Sequence, residues 1–212
     1  MLLIVLTATV LALPAIPASA GGTRVPRDPN IVDPAGDANV LSPVVMEGPT
    51  QVPAADILEA WFTNDDKMIT AHWHVAAPPT VGSGVQLTLK GMLDKAATPI
   101  PGTVPPTCLF FTAVWRLDDG EPSHPYAAFT DGCAYEGDEL WWNTKPLITR
   151  LADGSAIVSA TVERSFSPSL RKAGATIDGI NAWSAYAHWI AGRRPIAKSY
   201  DSAGPGKDYT VR

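Results

Sequence analysis

Ile69-Thr70-Ala71-His72-Trp73-His74-Val75 is the stretch that decides the fold. Ile69, Ala71, Trp73 and Val75 alternate with Thr70, His72 and His74. Successive side chains of an extended chain point to opposite faces, so this period of two predicts a strand with one apolar and one polar side. Just before it, Ile57 to Thr63 is rich in β-formers and Asn64-Asp65-Asp66 reads as a turn, so the two runs form a hairpin. Pro78-Pro79 ends it, because neither proline has an N–H to give to a ladder.

The same pattern continues down the chain. Val85, Leu87 and Leu89 alternate with Gln86, Thr88 and Lys90, while Leu109 to Trp115 is continuously apolar and aromatic apart from Thr112, as expected of a central strand. Tyr126 to Thr130 and Glu139 to Asn143 are shorter candidates. Ala156 to Val162 carries apolar residues on both parities and reads as a strand covered on both sides. Ile180 to Ile190 is the last long one. The one helical piece is Pro168 to Ala173, with Ser167 placed to cap it. Short strands parted by Pro, Gly and Asp turns predict an all-β, single-domain antiparallel β-sandwich, jelly-roll-like, with long loops and at most one short helix.

At the N-terminus, Leu2 to Ala12 is almost unbroken apolar sequence, Pro14 and Pro17 follow, and Ala18-Ser19-Ala20 supplies small residues. That is the layout of an export signal over residues 1–20, too short for a membrane-spanning helix. The expectation is a secreted protein with an irregular segment at 21–55, a sandwich at 56–212 and no membrane span once the signal is removed. In an oxidising compartment the only two cysteines, Cys108 and Cys133, are expected to pair. Closing a loop of that size stabilises by about 3.5 kcal/mol on the chain-entropy account. The net charge of −5, with no basic stripe, argues against nucleic acid as a partner.

Three groups of residues carry candidate chemistry. Asp33-Pro34-Ala35-Gly36-Asp37-Ala38-Asn39 is an acidic turn in which Asp33, Asp37 and the Asn39 amide fall at alternate or near-alternate positions. Calcium takes six to eight oxygens from such flexible loops, Gly36 allows the tight turn, and Asp56 stands ready to close the site from the next segment. The tail repeats the flavour in Asp201-Ser-Ala-Gly-Pro-Gly-Lys-Asp208, which shares one end of a sandwich with the first loop if the first and last strands lie together. His72 and His74 put two imidazoles on one strand face, the beginning of a transition-metal site that lacks a visible third ligand. Trp141-Trp142 points adjacent indoles to opposite faces, a platform for a sugar ring if one stays exposed. No nucleophile elbow, phosphate-cradling loop or His-Glu-x-x-His run occurs.

Two resemblances rest on these residues. Asp33-Pro34-Ala35-Gly36-Asp37, Asp56-Ile57-Leu58, Trp61-Phe62-Thr63-Asn64 and Pro205-Gly206-Lys207-Asp208-Tyr209 resemble landmarks of a group of secreted actinobacterial proteins with no assigned function. The acidic loop followed by an Asp at the first strand is also similar to β-sandwich modules of the carbohydrate-binding family 9 and DOMON-like type. That second likeness implies a sandwich stabilised by calcium and a role in binding glycan or cell-wall polymer. The expected function is therefore a secreted, non-catalytic binding module. Two alternatives stay open: a hydrolase whose acidic pair only spatial separation would reveal, and a haem- or metal-capturing module using His72 and His74.

Overall fold

The structure, a computed structural model, describes residues 26, 28–38, 52–93, 107–115, 117–118, 121–122, 124–131, 144–167, 170–171, 173–186, 188–189 and 198–212. In chain order the strands are β1 (Ile31–Val32), β2 (Ile57–Asn64), β3 (Met68–Val75), β4 (Val85–Leu93), β5 (Thr107–Trp115), β6 (Leu117–Asp118) and β7 (Glu121–Pro122). They continue with β8 (Tyr126–Asp131), β9 (Leu147–Arg150), β10 (Ala156–Glu163), β11 (Thr176–Tyr186), β12 (His188–Trp189), β13 (Lys198–Ala203) and β14 (Tyr209–Thr210). One sheet runs β1-β2-β3-β10-β9 and the other β13-β11-β4-β5-β8, with β14 added to β11. Every pairing within these two sheets is antiparallel. A small ribbon joins β12 to β6 in parallel and β6 to β7 in antiparallel register.

The period-two reading of β3 holds residue by residue. Ile69, Ala71, Trp73 and Val75 face Val162, Ala160, Val158 and Ala156 of β10 across the register, and all of them enter the core. Opposite them, Leu87, Leu89, Leu109, Phe111, Trp115 and Ile177 complete the apolar layer between the sheets. Phe111 meets Phe62 edge-on at 5.4 Å between ring centroids, which ties the inner faces together across the sandwich. The β2–β3 turn closes as its residues dictate. The Asp65 carboxylate accepts the Lys67 and Met68 N–H groups, each at 2.8 Å, which holds the acid below the usual carboxylate range.

The structure departs from the sequence reading in two elements. Of the expected helix Pro168–Ala173, the described residues Leu170, Arg171 and Ala173 lie in turns. The Ser167 carbonyl accepts the Leu170 N–H at 3.1 Å, and a single-turn 3-10 helix sits earlier, at Arg164–Phe166. The buried Arg164 guanidinium takes the Leu170, Asp65 and Arg212 main-chain oxygens, which draws this segment back over the sheet end instead of leaving it to coil. The segment before residue 56 is also not merely irregular. Ile31 is 2 % exposed and belongs to the core, and its strand pairs with Glu59 and Ala60.

Cys108 is buried on β5, and no described cysteine is free. Cys133 and the candidate strand Glu139–Asn143 lie outside the described residues. Among the described residues no helix is long and apolar enough to cross a membrane.

Candidate metal site

β1 and β13 bring two acidic segments to one end of the sandwich. β1 leaves the sheet at Asp33, whose N–H donates to the Leu58 carbonyl at 2.8 Å, and Gly36 turns the chain with a φ of +85°. The Gly36 N–H then donates to Asp56 Oδ2 at 2.8 Å, which anchors the loop to the start of β2. From the other side, Asp201 of β13 accepts the Ile57 N–H on Oδ2 at 2.8 Å and the Ser202 N–H on Oδ1 at 2.7 Å. Asp33, Asp37 and Asp201 thereby present carboxylate oxygens that all lie within 4.8 Å of one another. Oxygens on one calcium ion lie about 2.4 Å from it, so no two can stand more than about 4.8 Å apart. The spacing fits a shared ion.

Two further observations point the same way. Asp56 is 95 % buried, being 5 % exposed, and its Oδ1 has no hydrogen-bond partner. One buried oxygen of Asp33, Oδ2, is likewise without a partner. A buried carboxylate oxygen left unpaired costs free energy, and a cation shared by Asp33, Asp37 and Asp201 would remove that cost at Asp33. The charges also strain against each other. Burial first, then the Asp201, Asp37 and Asp56 carboxylates, push Asp33 up to about 7. Asp201 is raised too, by burial and by Asp37, although the Ile57 and Ser202 N–H groups oppose the shift. Without a cation, Asp33 holds a proton and donates it to Asp201.

Of the expected calcium ligands, Asp33 and Asp37 converge here, Asp56 holds the loop through the Gly36 N–H but is not one of the three clustered carboxylates, and Asn39 lies outside the described residues. Asp201 joins Asp33 and Asp37. Its signal in the sequence was the Asp-rich, Gly-Pro-Gly tail, but only the pairing of β13 beside β11 brings that tail to the first loop.

The histidines on β3 are engaged otherwise. His72 is 2 % exposed, with Nδ1 on Ser159 Oγ at 2.8 Å and Nε2 on Thr63 Oγ1 at 2.7 Å. Trp61 stacks on its ring with centroids 5.1 Å apart. Burial pushes His72 down to about 4, so the imidazole is neutral near pH 7. His74 links Glu59 Oε2 through Nδ1 and Ser155 Oγ through Nε2, both at 2.9 Å. All four ring nitrogens thus have partners, and among the described residues no third imidazole or thiolate gathers with them.

The Glu59–His74–Ser155 chain has the distances of an acid–base–nucleophile relay. Its proton count is wrong for one. Ser155 gives its single hydroxyl proton to Asp153 Oδ1 at 2.5 Å, and its N–H goes to the same oxygen at 3.0 Å. The hydroxyl therefore offers His74 a lone pair, the reverse of what activation of a serine by a general base requires. The serine is also 95 % buried.

Of the tryptophans, Trp73 and Trp115 fill the core, Trp61 is buried outside it against His72, and Trp183 stands half-buried on the outer face of β11 against Phe110. Trp141 and Trp142 lie outside the described residues. Beside the carboxylates an open cleft of about 400 Å3 runs between Pro29–Asp33 and Gly204–Lys207. Comparison with known proteins finds no family, curated protein or solved structure that matches the chain.

Proposed function

We propose that this chain is an exported, non-catalytic binding module for glycan or cell-envelope polymer, clasped by a calcium ion at Asp33, Asp37 and Asp201, with Asp56 beside them. The observation that carries the reading is the convergence of three carboxylates within 4.8 Å beside a fourth that is buried with an unpaired oxygen. Carboxylate oxygens are hard ligands suited to calcium or magnesium. Calcium tolerates the irregular geometry that two separate loops offer, whereas magnesium demands a near-ideal octahedron at shorter distances. Calcium's role here is structural: it neutralises a cluster that otherwise repels itself and fastens the N-terminal loop to β13. The Cys108–Cys133 pairing belongs to the same proposal, as a covalent tie suited to an oxidising compartment. So does kinship with the calcium-bearing sandwich modules that the acidic loop resembles.

The test is thermal unfolding with calcium and with chelator. At a calcium concentration about 100 times the dissociation constant, the ion stabilises by about 2.7 kcal/mol. For a chain of this size that is a rise in Tm of roughly 5–10 °C. Asp201→Asn and Asp37→Ala are expected to remove the response while leaving a cooperative transition. A Tm that is the same in calcium and in chelator sinks the reading.

A further inference from the structure

The cation cluster and the cleft share a residue. Asp33 is one of the three clustered carboxylates and also lines the cleft beside Pro29, Val32, Pro205 and Lys207. We propose that this cleft is a saccharide site, in which vicinal hydroxyls of a neutral sugar complete the coordination of the cation held by Asp33, Asp37 and Asp201. This rests on the calcium reading above and assigns the ligand a place and a chemistry.

Coordination leaves room for it. Calcium takes six to eight oxygens, so one oxygen from each of the three clustered carboxylates leaves at least three positions open. Asp37 is exposed and Asp33 half-buried, so the cluster is open to solvent, and Asp33 is its member on the cleft. Charge selects the ligand. Three carboxylates around one divalent cation, with Asp56 nearby, leave the site net negative, and Lys207, the one ammonium among the described residues that line the cleft, is already paired with Asp28. A phosphate, sulfate or uronate is repelled from such a site, whereas neutral hydroxyls, good cation ligands with no charge, are not.

The walls suit the rest of the ring. Val32 is 70 % exposed and Pro205 is exposed, and both line the cleft, so they offer apolar surface to the C–H face of a sugar. A volume of about 400 Å3 lies at the small-ligand end of binding pockets, enough for one or two sugar rings.

The experiment is affinity electrophoresis of the full chain through gels carrying mannan, xylan, a mixed-linkage β-glucan or polygalacturonate, each run in calcium and in EGTA. The expected result is retardation by at least one of the three neutral polysaccharides in calcium, lost in EGTA, and none by polygalacturonate. Val32→Arg, which fills the cleft from a position outside the proposed ligand set, is expected to abolish retardation and keep a calcium-dependent Tm. Absence of retardation by all three neutral polymers, retardation that survives EGTA or Val32→Arg, or a preference for polygalacturonate overturns the proposal. A chelator-insensitive Tm in the same preparation overturns the calcium reading beneath it, so the two failures are told apart.

Discussion

At the scale of single residues, His72 shows how far one side chain's surroundings can be inferred from its neighbours in sequence. Alternation along β3 correctly set His72 and His74 opposite Ile69, Ala71 and Trp73, and polar parity normally means exposure. His72 is instead buried, because Trp61 stacks on it and Ile157, at the same outer face, is itself fully buried. Periodicity reports which face a residue takes, not what lies over that face. A titration follows from this burial. The folded-state value is about 4 against 6.5 for a free imidazole. Below pH 6.5 the unfolded chain binds a proton that the native state refuses, so stability falls as pH drops from 6.5 and levels off below about 4. The loss over that window is about 3 kcal/mol. In calcium, urea midpoints measured across it should therefore fall steadily with acid, and His72→Gln should flatten the fall while lowering stability near neutrality. An unchanged acid slope in that variant would assign the effect to other groups.

At the scale of elements, the hairpin and the long strands were legible because each offers several residues of clear alternation. β1 was not. Two residues, Ile31 and Val32, carry no period, and Pro29 and Pro34 on either side read as loop. The strand exists because the tail holds it. Lys207 N–H donates to the Asn30 carbonyl at 2.8 Å, the Asn30 amide donates to the Lys207 carbonyl at 3.1 Å, and Asn30 Oδ1 accepts the Phe62 N–H at 3.0 Å. These contacts depend on a close approach at Gly206. A Cβ there would stand 2.5 Å from the Asn30 carbonyl oxygen and 2.6 Å from Ile31 Cγ1. The first of these is backbone, next to β1 and held by the Lys207 N–H, so it cannot give way cheaply. Gly206→Ala is expected to cost about 1–3 kcal/mol, the usual range for overpacking. Because Asp33 follows Ile31 by two residues, the same change should weaken the calcium-dependent rise in Tm. Hydrogen exchange should show faster exchange of the Asp33 amide, which bonds to Leu58, with the β3–β10 ladder unaffected. Equal exchange in both proteins would mean that β1 is held by something other than this contact.

At the scale of the whole molecule, the two-sheet architecture could be read from strand patterning, but the site could not be completed from it. Asp33 and Asp201 are far apart in the chain and meet only through the pairing of β1 with β2 and of β13 with β11. This meeting couples fold stability to pH in a sense opposite to His72. Without a cation, Asp33 holds its proton up to about 7, while the unfolded chain releases it near 3.8. Between those values the native state binds more protons than the unfolded one, so the contribution of Asp33 to stability falls as pH rises. In chelator the His72 and Asp33 trends therefore oppose each other from pH 4 to 6.5, and the stability profile should be shallow. Calcium requires its carboxylates ionised, so its binding displaces the Asp33 proton and leaves the His72 trend to govern the profile. The gap between calcium-loaded and chelated stability should widen from pH 5 to pH 8, and calcium binding near pH 6.5 should release protons, measurable as a buffer-dependent heat. A gap constant across that range, with no proton release, would mean that the cation is not held by Asp33, and the clasp between the two ends of the chain would have to be sought elsewhere.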